Sequence, residues 1–444
     1  MTIKVPFGHR MRTAHFSFSP SYTPLNHGSY GTHPKAVQAR LTELQTLAAE
    51  RPDTFIVFDL PNLIDESRTA VAPLLGADVD EVVFIPNATT GVNIVLRNLK
   101  FEEGDVVLHF STIYSACEKT ISSVAELMPV ERENVKLEYP IEDDEIVRRL
   151  KEGVGKVRGE GKKVRLAIFD TVISFPGVRM PWERLVEACK ELNVLSLIDG
   201  AHGIGHIDLS ELGKVGPDFF VSNCHKWLYT PRASAVFYVP FRNQHLIRTS
   251  LPTSHGYQYP NQKPDSKADA SGRTPFVHLF EFVATFDYSP YVCVPAALEF
   301  RQKVCGGEAE IRKYCFDLAR NGGQRVAEIL ETHVMNSETK TMSQCCFANV
   351  ALPLTFVKTS QESIDGRKVF RMDEASKVVT WLKATAVKEF DTYLQLALHS
   401  GYMWVRLSGQ IYLELKDFEW VGHRLKELCA RINSGELDQI RGSQ

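Results

Sequence analysis

The sequence predicts an α/β protein: a large domain on a mostly parallel sheet, then a smaller α+β domain. Three observations carry this. Short apolar runs rich in β-branched and aromatic residues recur between longer amphipathic stretches in the first half of the chain. Such strand–helix alternation builds parallel sheets covered on both faces. The later part changes to long helical stretches with two strand-like runs, and 444 residues suffice for two domains of roughly 100–200 residues or more each.

In chain order, Val82 to Pro86, Val106 to Phe110, Val164 to Asp170, Val194 to Asp199, Phe219 to Ser222 and Ala235 to Val239 read as buried strands. Each is short and bounded by turn or polar residues, and helical patterns such as Trp182 to Leu192 lie between several of them. Thr253 to Pro275 is rich in Gly, Pro, Ser, Lys and Gln and reads as a long loop, a length that in a compact domain usually marks function. Val294 to Lys303, Glu310 to Thr332 and Glu374 to Phe390 read as helices, and Cys346 to Leu354 and Tyr402 to Leu407 as strands. No internal repeat or low-complexity segment interrupts this order.

Composition narrows the function classes. Hydrophobic residues make up 44%, a globular value. Lys and Arg total 51 against 54 Asp and Glu, a formal charge of −3, which offers no field for nucleic acid or an anionic membrane. No apolar stretch reaches the roughly 18 residues that span a bilayer. Met1 to Pro20 carries Lys4, Arg10 and Arg12 without a continuous apolar run, so it does not read as a signal peptide. Nine scattered cysteines, an odd count, argue against a disulfide framework and for a reducing, cytoplasmic setting.

The sharpest chemical signal is Ser222-Asn223-Cys224-His225-Lys226-Trp227. A lysine directly after an apolar strand is either a surface turn residue or an amine in a cleft, where desolvation lowers its pKa and frees it to attack an aldehyde. Asp199-Gly200-Ala201-His202 follows another apolar run. Its aspartate is either a turn or cap residue or a buried carboxylate that keeps a pyridine nitrogen protonated, with His202 donating to a cofactor phenolate. His202 and His206 are four apart, but Gly203 and Gly205 between them speak against a helical metal pair, and no metal site is expected. Asn87-Ala88-Thr89-Thr90-Gly91-Val92-Asn93 joins a strand to a helix, an arrangement that presents backbone N–H groups and hydroxyls to a phosphate or simply caps a helix.

Together these segments resemble the class V aminotransferase family, from about Leu25 to the C-terminus. The resemblance implies pyridoxal 5′-phosphate as cofactor and its type I fold, with residues 1–35 as an N-terminal segment over the active site, 36–290 as the cofactor-binding domain and 291–444 as the small domain. It implies Lys226 as the Schiff-base lysine, Asp199 on the ring nitrogen, His202 on the phenolate, and Thr89, Thr90, Ser222 and His225 on the phosphate. Tyr114, in Thr112-Ile113-Tyr114-Ser115-Ala116, stands where a histidine usually stacks on the ring; a tyrosine stacks as well and adds a phenol able to transfer protons. Thr285, in Phe282-Val283-Ala284-Thr285-Phe286-Asp287, matches a threonine given to the partner's phosphate, which implies a homodimer with shared active sites. Arg406, inside an apolar strand run, matches the arginine that grips the α-carboxylate of an amino-acid substrate, a bidentate role. Asn26, His27, Gly28 and Ser29 resemble the N-terminal loop over the substrate.

Two departures from the family pattern bear on the reaction. Leu398-His399-Ser400-Gly401 holds no cysteine where cysteine desulfurases carry their nucleophile, and Ser174 stands nearest to the usual asparagine by the phenolate. The stretches Leu25 to Gly31, Ser222 to Pro231, Arg242 to Gly256 and Asp417 to Trp420 also look like the fungal ergothioneine-pathway lyases of hercynylcysteine sulfoxide and the related enzymes of loline-type alkaloid pathways. The expected function is therefore C–S β-elimination from a cysteine-derived amino acid such as a cysteine-conjugate sulfoxide. Decarboxylative cyclisation and amino-acid epimerisation remain open, and a non-catalytic binding protein is opposed by the presence of Lys226.

Overall fold

A computed structural model describes residues 5–260, 272–358, 363–364 and 367–439. Seven strands form the main sheet: β1 (Val82–Ile85), β2 (Asp105–Phe110), β3 (Val130–Val135), β4 (Lys163–Asp170), β5 (Leu195–Asp199), β6 (Phe219–Asn223) and β7 (Ala235–Tyr238). Their order is β1-β7-β6-β5-β4-β2-β3. Strand β7 runs antiparallel to both its neighbours, and the remaining pairs are parallel.

Alternation along each strand sends side chains to two cores. Val82, Leu108, Phe169, Ile198 and Phe220 enter one, and Val83, Val107, Ile168, Leu197 and Val221 the other. Helices cover both faces, which explains why the strands read as continuous apolar runs. The helix Ala88–Asn98 starts where Asn87 Oδ1 accepts the Thr90 N–H at 2.9 Å. It lies close on the sheet, since a Cβ at Gly91 would stand 2.3 Å from Val221 Cγ1.

The sequence reading does not anticipate β3. Its residues Val130-Glu131-Arg132-Glu133-Asn134-Val135 are buried at the two ends and largely polar between, and it pairs only with β2. Charged residues on a sheet edge hinder further pairing, and they also erase the apolar run by which a strand is recognised.

A second sheet follows, of order β11-β12-β8-β10-β9. Its strands are β8 (Phe347–Val357), β9 (Ser363–Ile364), β10 (Arg367–Arg371), β11 (Gln395–His399) and β12 (Tyr402–Ser408). The helices Glu308–Leu330 and Leu415–Asn433 pack on each other and on β8. Of the expected loop Thr253 to Pro275, residues 261–271 lie outside the described residues, and Pro275 opens a helix to Glu281. The N-terminal chain is tied to the small domain: Arg12 meets Asp417 at 2.8 Å, and Leu25 O accepts the Ser408 N–H at 2.9 Å. This brings the segment 26–29 beside β12. Among the described residues no helix is long and apolar enough to cross a membrane.

Candidate active site

The C-terminal ends of β4, β5 and β6 meet the start of the helix Ala88–Asn98 around a cavity of about 200 Å³. Ligands gather at this edge of parallel sheets. Thr89, Tyr114 and Ser174 line it, as do Asp199, His202, His225 and Lys226 from the expected set. Ser29 reaches it from the N-terminal segment.

Lys226 lies in the single helical turn Cys224–Trp227 directly after β6. Burial lowers its pKa from the usual lysine value to about 8. Its Nζ stands 3.3 Å from His202 Nε2. Asp199 closes β5 and is a ladder partner of Asp170 on β4. One carboxylate oxygen of Asp199 accepts the Ala201 N–H at 3.0 Å and the other the Cys117 S–H at 3.4 Å. Burial pushes both carboxyls up, and for Asp170 the Asp199 charge adds to it. Burial also keeps the Cys117 thiol protonated, with the Asp199 charge adding to it.

Of the residues expected at the cofactor, three stand off the cavity wall, and of those expected at the substrate, Asn26, His27, Gly28 and Arg406 do so. Thr90 bonds the Asn87 cap through its N–H and through its hydroxyl at 3.1 Å. Ser222 ties the strand ends together: its hydroxyl donates to Gly200 O and accepts the Ile204 N–H at 2.8 Å. Thr285 is exposed in the loop after the helix Pro275–Glu281.

Arg406, on β12, is buried with only neutral hydrogen-bond partners among the described residues. It donates to Ser174 O, to Asn26 Oδ1 at 3.1 Å and to Ser29 Oγ at 2.9 Å, and its guanidinium lies 4.4 Å from the Phe347 ring centroid. Burial lowers its pKa to about 10. A buried guanidinium without a carboxylate is costly, so this geometry favours an anionic ligand. Ser174 thus contributes its carbonyl to Arg406 while its residue lines the cavity. His27 faces the Tyr412 hydroxyl at 2.6 Å, and the Gly28 N–H donates to Ser408 Oγ at 3.2 Å. Gly28 admits the Phe347 ring, since a Cβ there would stand 2.3 Å from Phe347 Cζ.

Sequence reasoning passed over Asp170, Asn223, Tyr30 and Trp227 as site residues, and its capping alternative for the Asn87 turn is what Asn87 does. Asn223 Oδ1 accepts the Ala88 N–H at 2.9 Å and pins the helix start to the lysine turn. Tyr30, 64% exposed, and Tyr114, 47% exposed, both line the cavity. Asp170 had a signal, an acid closing an apolar strand. The others become visible only once the strands are ordered.

The residues fit pyridoxal 5′-phosphate. A depressed-pKa amine suits an aldehyde, and a protonated ring nitrogen would give Asp199 the strong donor that a thiol does not supply. Thr89 and the helix start suit a phosphate. Among the described residues no cluster of metal-ligating side chains occurs.

Residues 48–261 match the family model Aminotransferase class-V. The chain is 38% identical to the L-cysteine desulfhydrase-like protein lolT1 of Epichloe uncinata, over 98% of this chain and 99% of the relative. It is 32% identical to hercynylcysteine sulfoxide lyase of Schizosaccharomyces pombe, over 96% of this chain and 98% of that one. In architecture it is similar to the cystine C–S lyase C-DES, solved in complex with its product cysteine persulfide. The TM-score is 0.71 and the identity 18%, covering 92% of this chain and 97% of the other.

Proposed function

Since this chain belongs to the class V aminotransferase family, we propose that it is a pyridoxal 5′-phosphate-dependent C–S lyase that acts by β-elimination on a cysteine-derived amino acid such as a cysteine-conjugate sulfoxide. The observation that carries this is the buried Arg406, paired with no carboxylate among the described residues, close to a lysine whose pKa is lowered to about 8. An amino acid supplies the missing carboxylate to the one and an α-proton to the other.

The cofactor, when bound, supplies an electron sink for the negative charge that develops at the substrate α-carbon. With the cofactor in place, Asp199 would accept the hydrogen bond of its protonated ring nitrogen, His202 would donate to its phenolate oxygen, and Thr89 and His225 would hold its phosphate. Arg406 grips the α-carboxylate and so orients the α-C–H bond. Lys226, as an amine, takes the α-proton. The electron pair of the broken C–S bond leaves on sulfur, and the Tyr114 phenol donates the proton that neutralises it.

Sulfur leaves with its organic group. Leu398–Gly401, where the family resemblance places the nucleophile of cysteine desulfurases, holds no cysteine: Leu398 and His399 end β11, and Ser400 and Gly401 turn the chain into β12. Cys117, close to Asp199, is a buried thiol without nucleophilic character.

Two further points complete the reading. Thr285 is exposed beyond its own cavity, and we assign it to the phosphate of a second copy, so the protein works as a homodimer with shared sites. The nine buried cysteines suit a reducing cytosol.

The test is direct. Incubation with S-substituted cysteines and their sulfoxides should yield pyruvate, ammonia and the sulfur-bearing fragment, and Lys226→Ala should abolish both turnover and the protein's visible absorbance. Carbon dioxide release without pyruvate from any of these substrates would replace elimination by a decarboxylative reaction.

A further inference from the structure

The His202 ring stands between Lys226 and Trp227, within hydrogen-bond distance of both. His202 Nδ1 lies 3.1 Å from the Trp227 indole nitrogen, which donates to it. An indole nitrogen only donates, so Nδ1 carries the lone pair. Burial, the largest cause, holds the His202 pKa well below the usual value, so the ring is neutral. Its one proton therefore sits on Nε2, the atom 3.3 Å from Lys226 Nζ. An N–H facing Nζ forms a hydrogen bond only if Nζ offers a lone pair, and an ammonium has none.

The indole is held firmly enough to impose this. Its ring stacks on His206 with centroids 4.0 Å apart, and its edge meets Phe347 at 5.3 Å. The Trp227 carbonyl accepts Arg301 Nη1 at 2.8 Å, and Arg301 in turn holds Gly205 O at 3.0 Å and Glu308 at 2.6 Å. His206 Nε2 accepts the Cys346 N–H at 2.7 Å, so its Nδ1–H donates to His202 O at 2.8 Å. Both histidines are thereby fixed in ring orientation and tautomer.

We propose that Trp227 is a positioning residue that sets the tautomer of His202 and so holds Lys226 as the free amine. The inference rests on the reading of Lys226 as the residue that condenses with the cofactor aldehyde. Around Lys226, Asp199 on β5 and Asp170 on β4 favour the ammonium, while Arg406 on β12 and burial favour the amine. Cys117, from the helix Ser115–Ala125, stays a thiol, and burial lowers the adjacent His225 to about 4, leaving it neutral. The tautomer lock adds to burial against two carboxyls. In the condensation the Nζ lone pair forms the bond to the aldehyde carbon, and the carbonyl oxygen departs as water with both amine protons.

The test strips pyridoxal 5′-phosphate from the full-length protein and follows its covalent recapture between about pH 6 and pH 10, by borohydride trapping and mass. The native midpoint should lie at or below about 8. Trp227→Phe keeps an aromatic ring but loses the N–H, so Nε2 becomes free to accept from an ammonium. The midpoint should rise by about one unit or more, with recapture near neutral pH slowed roughly tenfold. A midpoint within about 0.3 unit of the native one would overturn the proposal. If that variant does not fold, histidine nitrogen NMR shifts of the native protein decide: a proton on His202 Nε2 supports the lock and one on Nδ1 refutes it. If the native protein captures no aldehyde at Lys226, the functional reading fails, while the NMR measurement still judges the lock.

Discussion

Asp170 and Asp199 are ladder partners on adjacent parallel strands, so two buried carboxyls stand at the floor of one cavity. Burial raises both, and Lys226 opposes the rise. A carboxyl held above its unfolded value stabilises the folded state only while protonated. That contribution is complete below the ordinary carboxylate range and is lost as pH rises through the raised values. The cofactor-free protein should therefore melt at falling temperature over that rise. Asp170→Asn should flatten the fall and gain about two degrees at neutral pH, read by calorimetry. Melting curves that superimpose on the native ones at every pH would refute this account of the pair.

Arg406 offers the clearest substrate test. Arg406→Ala should raise KM by about one to two orders of magnitude, the worth of a lost charge-assisted pair of about 1.5–3 kcal/mol. Arg406→Lys keeps the charge but loses the planar face over Phe347 and one of two parallel donors, so it should recover only part of the loss. Unchanged KM in both variants would remove the carboxylate role.

Tyr114 is separable by leaving group. Tyr114→Phe keeps the ring but removes the phenol, so elimination of an alkyl thiolate should slow by about a hundredfold. Conjugates whose sulfur departs at low pKa need no acid and should lose far less. Equal losses across such a series would leave Tyr114 with stacking alone.

Thr285 tests the assembly. Thr285→Ala should weaken cofactor retention, and the native protein should sediment as a dimer. Mixing Lys226→Ala chains with Thr285→Ala chains places both lesions in one site of the mixed dimer and neither in the other. Activity should partly return on mixing. A fully active monomer would contradict the shared site.

How much of this was legible in the sequence follows from the range of each interaction. The strand ends carrying Asn87, Asp199 and Lys226 are short apolar runs, each followed within a few residues by its polar group. Periodicity and turn chemistry act over that distance, so the sheet class and a candidate lysine at a strand end stand in the string itself. The resemblance that joined the three segments did so without their geometry. Edge strand β3 was missed because Glu131 to Asn134 are polar and erase the run that marks a central strand, and β9, β10 and β11 were missed because each is only two to five residues long.

Tertiary structure alone decided which partners meet. Arg406 bonds Asn26 and Ser29 from 380 and 377 residues away, and no local pattern encodes that pairing. It also drew distinctions within single motifs. Thr89 faces the cavity while Thr90 is held by the helix cap, and Ser222 braces a strand end while His225 lines the wall. The Asp170–Asp199 pair and the Trp227–His202–Lys226 chain exist because parallel strands align their C-terminal ends in one register. The sequence by itself determined the kinds of groups at those ends. The register and packing of the sheet determined which proton each of them holds, because protonation is set by burial and neighbours, and both are properties of the assembled core.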